Sequence, residues 1–298
     1  MTDFSQIVLI SVDGGGTRCR AAVGTAFGGV LARAEGGPAN AMANLDGAVA
    51  NIKAAVKEAA DSAGISDAVL SRATAHIGLA GVLSDADGER IKTALCYGAT
   101  TVTDDRVTAV AGAFAERDGF LVSLGTGSFL AVQNNKDIKF LGGWGFHIGD
   151  QASGAWLGRK AMERVLECHD GIVPHSDLTL DLFEKFQNDP VAVSNFSFSA
   201  TPRDFGAFAQ TVIATAKAND PHAIALMTQG ARYIQASLDA LGFQDGDPIC
   251  FIGGIGASYC NALADGTLSG LRSPAGTALD GGFMLARDAA LLAARYDP

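Results

Sequence analysis

The chain has 298 residues, long enough for two domains with cores of their own. It is 48% hydrophobic and 18% charged, which fits a soluble globular enzyme and excludes disorder. A formal net charge of −10 argues against nucleic acid and an anionic membrane surface as partners. It leaves nucleotides open, because backbone N–H groups and a metal ion hold phosphates without net positive charge.

The chain opens on a polar MTDFSQ, and the apolar Ile7–Ile10 is too short for a signal core or a membrane span. Next comes IVLISVDGGGTRCRAAV, two strand-like runs joined by Asp13, three glycines and Thr17. A Gly28-Gly29 turn leads to a further strand, and GGPANAMAN is a loop. The spacing predicts a helix from about Gly47 to Ala63, capped by Asn44 or Asp46 and stopped by Gly64. Its buried face is read as Val49, Ile52, Val56, Ala59 and Ala63. A strand over Ala75–Leu79, a helix over Asp85–Tyr97 stopped by Gly98, a strand over Thr100–Thr103 and a helix over Val107–Ala115 follow.

The pattern then restarts. Phe120–Leu124, Phe129–Gln133 and Ile138–Leu141 read as strands, and GGWGFHIGDQASGAWLG opens a helix reaching about Cys168. Asp177–Gln187, Arg203–Asn219 and Asp220–Leu241 read as helices, the last with Pro221 in its first turn. Ile249–Ile252 is a strand followed by GGIGAS, and a helix over about Ala278–Ala294 ends the chain. The order describes mixed sheets flanked by helices. We expect an N-terminal domain over 1–117 and a C-terminal one over 118–298, with the last helix free to pack back on the first.

A two-residue hairpin needs one or two glycines; DGGGT has three, bracketed by an acid and a hydroxyl. Gly14, Gly15, Gly16 and Thr17 would donate to phosphates, with Asp13 orienting a hydrated magnesium ion. Gly125, Thr126, Gly127 and Ser128 form a second such turn at a repeat-like position. Asp104 and Asp105 sit at a strand end before a helix, so one can cap while the other takes a proton from a substrate hydroxyl. Asn40, Asp150 and Gln151 are polar residues in glycine-rich loops, suited to sugar hydroxyls. There is no Walker motif, no G-x-G-x-x-G and no G-x-S-x-G, which sets aside P-loop, dinucleotide-binding and hydrolase readings. Five scattered cysteines and five histidines make no metal spacing, and the free thiols fit a reducing cytoplasm.

These residues resemble a known group. VDGGGTRCRA, VTDD with TAVAGA, SLGTGS and FIGGIGAS are similar to the first phosphate, connecting, second phosphate and adenosine motifs of the actin-like ATPase superfamily, within it the BadF-type N-acetylglucosamine and glucosamine kinases. The resemblance spans Ile7 to about Ala286 and implies two ribonuclease H-like lobes with an interdomain cleft. It implies ATP and magnesium as cofactors, Asp105 as catalytic base, and Gly253 and Gly254 beside the nucleotide. PAN at 38–40, GDQASGA at 149–155, DGIVPHSDL at 170–178 and TPRDFGAF at 201–208 resemble glucosamine kinases. Gln151, where acetylglucosamine kinases carry Glu, points the same way, whereas GGWG at 142–145 resembles the acetylglucosamine enzymes. The implied reaction is ATP-dependent phosphorylation of the 6-hydroxyl of D-glucosamine. N-acetylglucosamine kinase and an actin-like ATPase switch or activator are the alternatives. The amino sugar would be held by Asn40, Asp105, Asp150 and Gln151, and a homodimer is carried as the assembly. Radical-enzyme activators and ROK-type kinases carry clustered cysteines that this chain lacks.

Overall fold

Strand β1 (Val8–Gly14) is buried on both faces, and each face is covered by a different helix. The computed structural model describes residues 7–82, 84–264 and 266–296; the polar Met1–Gln6 stretch lies outside them. Val8, Ile10 and Val12 pack with helix α1 (Leu45–Ser62), while Leu9 packs with helix α11 (Ala278–Tyr296), whose Leu279 carbonyl accepts from Ser11 Oγ at 2.7 Å. The alternation is that of any strand.

β2 (Cys19–Thr25) and β3 (Gly29–Gly36) continue from β1 as an antiparallel meander, while β4 (Thr74–Leu79) and β5 (Thr100–Thr103) add in parallel, giving the order β3-β2-β1-β4-β5. Between them lie α2 (Asp67–Leu70) and α3 (Asp85–Leu95), and α4 (Asp105–Phe114) follows β5. A second sheet starts the same way: β6 (Gly119–Leu124), β7 (Ser128–Asn134) and β8 (Asp137–Gly142) form a meander, and β9 (Ile249–Ile252) adds in parallel beside β6. Its core is filled by α5 (Gly154–His169), α6 (Asp177–Glu184), α7 (Pro190–Ser199), α8 (Pro202–Gly206), α9 (Ala209–Lys217) and α10 (Pro221–Leu241). A 3-10 turn over Gly256–Ala262 follows β9. The chain divides into two compact units, one made of the residues through Arg117 with those from Pro274 on, the other Asp118–Ser273. The terminal helix thus belongs to the first unit.

Several boundaries differ from the sequence reading for local reasons. Asn44, not Asp46, caps α1, accepting from Gly47 N–H at 2.9 Å. The buried face of α1 is Ala48, Ile52, Ala55, Val56, Ala59 and Ala60, with Val49 and Ala63 only partly covered. Helix α3 stops at Cys96, which takes the left-handed φ of 59° itself, so Gly98 is not the terminator. The stretch 203–219 is two helices, α8 ending at Gly206 and α9 starting at Ala209, and the sequence reading contains no α7. Asp189, whose carboxylate accepts from Val191 N–H, and Pro190 start α7 as a capped proline turn.

Within the first unit α4 and α11 touch backbone to backbone. A Cβ on Gly281 would fall inside contact distance of the Thr108 carbonyl and the Gly112 nitrogen. Neither of those is the movable end of a side chain. Gly281→Ala should therefore destabilise the protein by about 1–3 kcal/mol, read as a lower urea midpoint; an unchanged midpoint would refute this packing.

Candidate active site

Because β1, β4 and β5 are parallel, their C-terminal ends share one edge, where ligands of open α/β sheets bind. Asp13 is the penultimate residue of β1, and the hairpin register places Arg20 of β2 directly opposite. The Arg20 guanidinium pairs with Asp13 Oδ2. Asp104 follows β5 and caps α4: its Oδ1 accepts from Arg106 N–H at 2.8 Å and from Arg106 Nε at 2.6 Å. Asp105, the first residue of α4, has no ion pair among the described residues. Burial, then the negative charges of Asp104 and Asp13, push its carboxyl up to about 7, with Arg106 opposing. Near neutral pH this group both ionises and accepts protons readily, the condition for general-base work. Behind it, His76 Nε2 lies 3.1 Å from Thr103 Oγ1, and burial lowers this imidazole to about 4, so it adds no positive charge at pH 7.

Asn40 stands beside the end of β4, held there by a bridge to Ala80 and by Ala41 N–H donating to the Ala80 carbonyl at 2.9 Å. Its Oδ1 accepts from Met42 and Ala43 N–H, both at 3.0 Å, which leaves its amide NH2 for a ligand. In the glycine turn, Gly15 N–H donates to the Arg18 carbonyl, while Gly14 and Gly15 carbonyls accept from Ala80 and Ala39. Gly16 and Thr17 are exposed, and their N–H groups meet no acceptor among the described residues. A Cβ added at Gly16 would touch nothing within 4 Å. An anion fits these two donors.

In the second unit three glycine segments meet at the C-terminal ends of β6 and β9. Gly125 N–H donates to the Gly127 carbonyl, and Gly154 and Ala155 at the start of α5 donate to Gly125 and Thr126 carbonyls at 2.8 and 3.2 Å. Gly253 (φ 86°) lies so close to the Leu124 carbonyl that no Cβ fits, while Gly254 is exposed and open. Thr126 and Gly127 keep N–H groups without acceptors among the described residues. Ser128 differs: its N–H donates to Asp150 Oδ1 at 3.3 Å and its Oγ to the Gln151 carbonyl at 2.7 Å. Both of its donors are therefore committed, and its part is to hold the 150–151 segment rather than to offer a donor outward. Asp150 sits at φ 57°, and burial raises its carboxyl while the Ser128 and Gly145 N–H groups oppose that shift. Gly127 is what admits this carboxylate, since a Cβ there would come within 2.9 Å of Asp150 Oδ2. Gln151 is half-buried.

A hydrated magnesium ion fits the donor set: Asp13 retains one oxygen beyond the one engaged by Arg20, and magnesium prefers few carboxylates and its own water. Sequence reasoning overlooked Arg20 and Arg106. Arg20 was legible in principle, because a tight hairpin with the loop Gly15–Arg18 places positions 13 and 20 in register.

Comparison with known proteins gives the family. The sequence profile of the BadF/BadG/BcrA/BcrD ATPase family matches residues 10–268. The chain belongs to that family. It is 30% identical over 282 residues to the glucosamine kinase GspK of Vibrio cholerae, covering 93% of this chain and 95% of that protein. The crystal structure of a candidate N-acetylglucosamine kinase from Chromobacterium violaceum superposes with a TM-score of 0.87 at 31% identity, covering 95% of this chain and 99% of that one. An N-acetylmuramic acid/N-acetylglucosamine kinase of Clostridium acetobutylicum is 30% identical over 169 residues, 54% of each chain. Among the described residues no helix is long and apolar enough to cross a membrane.

The raised Asp105 carboxyl has a consequence for stability. Its native value of about 7 exceeds the unfolded value of about 3.9. Between those values the native state binds more protons than the unfolded chain, so this group's contribution falls as pH rises from 4 to 7. Asp105→Asn removes the charge that burial opposes. It should be more stable than the parent at pH 8, with the advantage shrinking as pH drops towards 4, in urea titrations across that range. A constant difference at all pH values would contradict the shift.

Proposed function

We propose that this protein is a magnesium-dependent kinase that transfers the γ-phosphoryl group of ATP to the 6-hydroxyl of D-glucosamine, giving glucosamine 6-phosphate and ADP in the cytoplasm. The observation that carries the reading is the half-buried, unpaired Asp105 beside the arginine-paired Asp13 and Asp104. The likeness to a glucosamine kinase along nearly the whole chain supports the choice of sugar. Asp105 takes the proton from O6 as that oxygen bonds to phosphorus and the bond to the ADP oxygen breaks. Asn40, Asp150 and Gln151 bind the remaining sugar polar groups. The N–H groups of Gly16, Thr17, Thr126 and Gly127 take phosphate oxygens, with Gly253 and Gly254 on the adenosine side. Magnesium, held through water on Asp13, neutralises phosphate charge when bound; phosphoryl transfer depends mainly on such positioning and neutralisation.

A second reading, N-acetylglucosamine kinase, is favoured by the GGWG segment at 142–145 and by the Chromobacterium structure. Coupled ADP-release assays over both sugars decide between them: kcat/KM should be at least about tenfold higher for glucosamine, a difference of roughly 1.4 kcal/mol in transition-state binding. The reverse ratio would establish the second reading, and ATP turnover that no sugar stimulates would sink both. Asp105→Asn should lower kcat by about 10² or more while sugar still binds. The sign of the pH effect follows from the base role: kcat/KM of the parent enzyme should climb with pH and level off above about 7.

A further inference from the structure

Asp150 is held from its C-terminal side by Ser128 and the start of α5, but the segment leading into it is exposed. Across Gly143–Ile148 every residue is exposed except Phe146; Trp144 is 77% exposed and Ile148 82%. Gly143 and Gly145 have φ of 76° and 86°, so two of its links are conformationally permissive. Gly149 N–H, one residue before Asp150, donates to the Gly145 carbonyl at 2.8 Å and closes the segment into a turn. Phe146 is the apolar anchor, its ring 5.2 Å from that of Phe205.

Arg159, on α5, grips that anchor in two ways. Its Nη1 donates to the Phe146 carbonyl at 3.3 Å, and its guanidinium carbon lies 5.1 Å from the centroid of the Phe146 ring. The price is a buried Nε with no hydrogen-bond partner, 3.7 Å from Glu163 Oε1. A leucine would fill such a site without stranding a polar atom. What Arg159 supplies instead is a flat cation that stacks and donates at once, which a lysine cannot do.

We propose that Arg159 is a positioning residue for sugar recognition: it locks the Phe146 peptide and ring, and through them the Gly145–Gly149 turn that leads into Asp150, so that together with the Ser128 N–H it fixes the orientation of the Asp150 carboxylate. It touches no reacting atom. The inference rests on the sugar-kinase reading for its kinetic arm alone.

Tryptophan emission tests the lock without reference to activity. The chain has two tryptophans, and Trp156 is 4% exposed, so acrylamide should quench chiefly Trp144; Trp144→Phe should remove the quenchable component. In Arg159→Ala the Trp144 anisotropy should fall and its quenching change, with Arg159→Lys between the two. The Michaelis constant for glucosamine should rise about tenfold in Arg159→Ala, the scale of one lost charge-assisted contact with its stacking. The constant for ATP and kcat at saturating sugar should stay within about twofold, as expected when only ground-state and transition-state sugar binding are lost together. Trp144 emission indistinguishable from the parent would overturn the proposal, as would equal losses in kcat and in both Michaelis constants. If the parent phosphorylates no sugar, the functional reading fails on its own, and the Trp144 comparison still decides whether Arg159 holds the loop.

Discussion

A half-buried carboxylate given no cation is the constraint on which this structure depends. Asp13 has Arg20 and Asp104 has Arg106, whereas Asp105 beside them has no ion pair among the described residues. An arrangement chosen for stability alone would pair or remove it, since a buried unpaired charge costs free energy that neighbouring like charges increase. The sheet makes the arrangement possible: parallel β1 and β5 end on the same edge, and Asp104 caps α4 directly before Asp105. Asp104 thus takes the capping role and leaves Asp105 free for the base role proposed above.

The glycine turns work by the same logic in neutral form. Their carbonyls and some of their N–H groups are spent on holding β1, β4, β6 and the start of α5 in place. What is left over, at Gly16, Thr17, Thr126 and Gly127, is a small set of unclaimed donors on fixed backbone. In each unit, such donors are the means by which the proposed function lets a chain of net charge −10 bind phosphate. Both units open with an antiparallel meander whose first turn is the glycine turn, followed by a parallel strand, so one local solution appears twice.

Much of this was legible in the sequence because it rests on local rules. Glycine with Asp or a hydroxyl residue at a strand end marks both turns, and Asp-Asp between a strand and an alanine-rich helix marks a cap there, which the structure assigns to Asp104. What escaped depends on contacts between distant residues or on unusual backbone. No pattern rule foretells that Cys96 ends α3 in a left-handed conformation, or that Asp150 takes φ 57°. Ser128 looked like a phosphate donor by position, but its hydrogen bonds run to Asp150 and Gln151, more than twenty residues on. The α7 signal, Asp-Pro before an apolar run, was present; it went unread because that run lacks a clear polar face.

The account stands or falls on the protonation of Asp105. Carboxyl ¹³C resonances of aspartate-labelled protein, followed from pH 3 to 10, should show one group titrating near 7 that disappears in Asp105→Asn. If every aspartate titrates below about 5, as unperturbed carboxyls do, Asp105 is not held as described and the proposed base loses its physical ground.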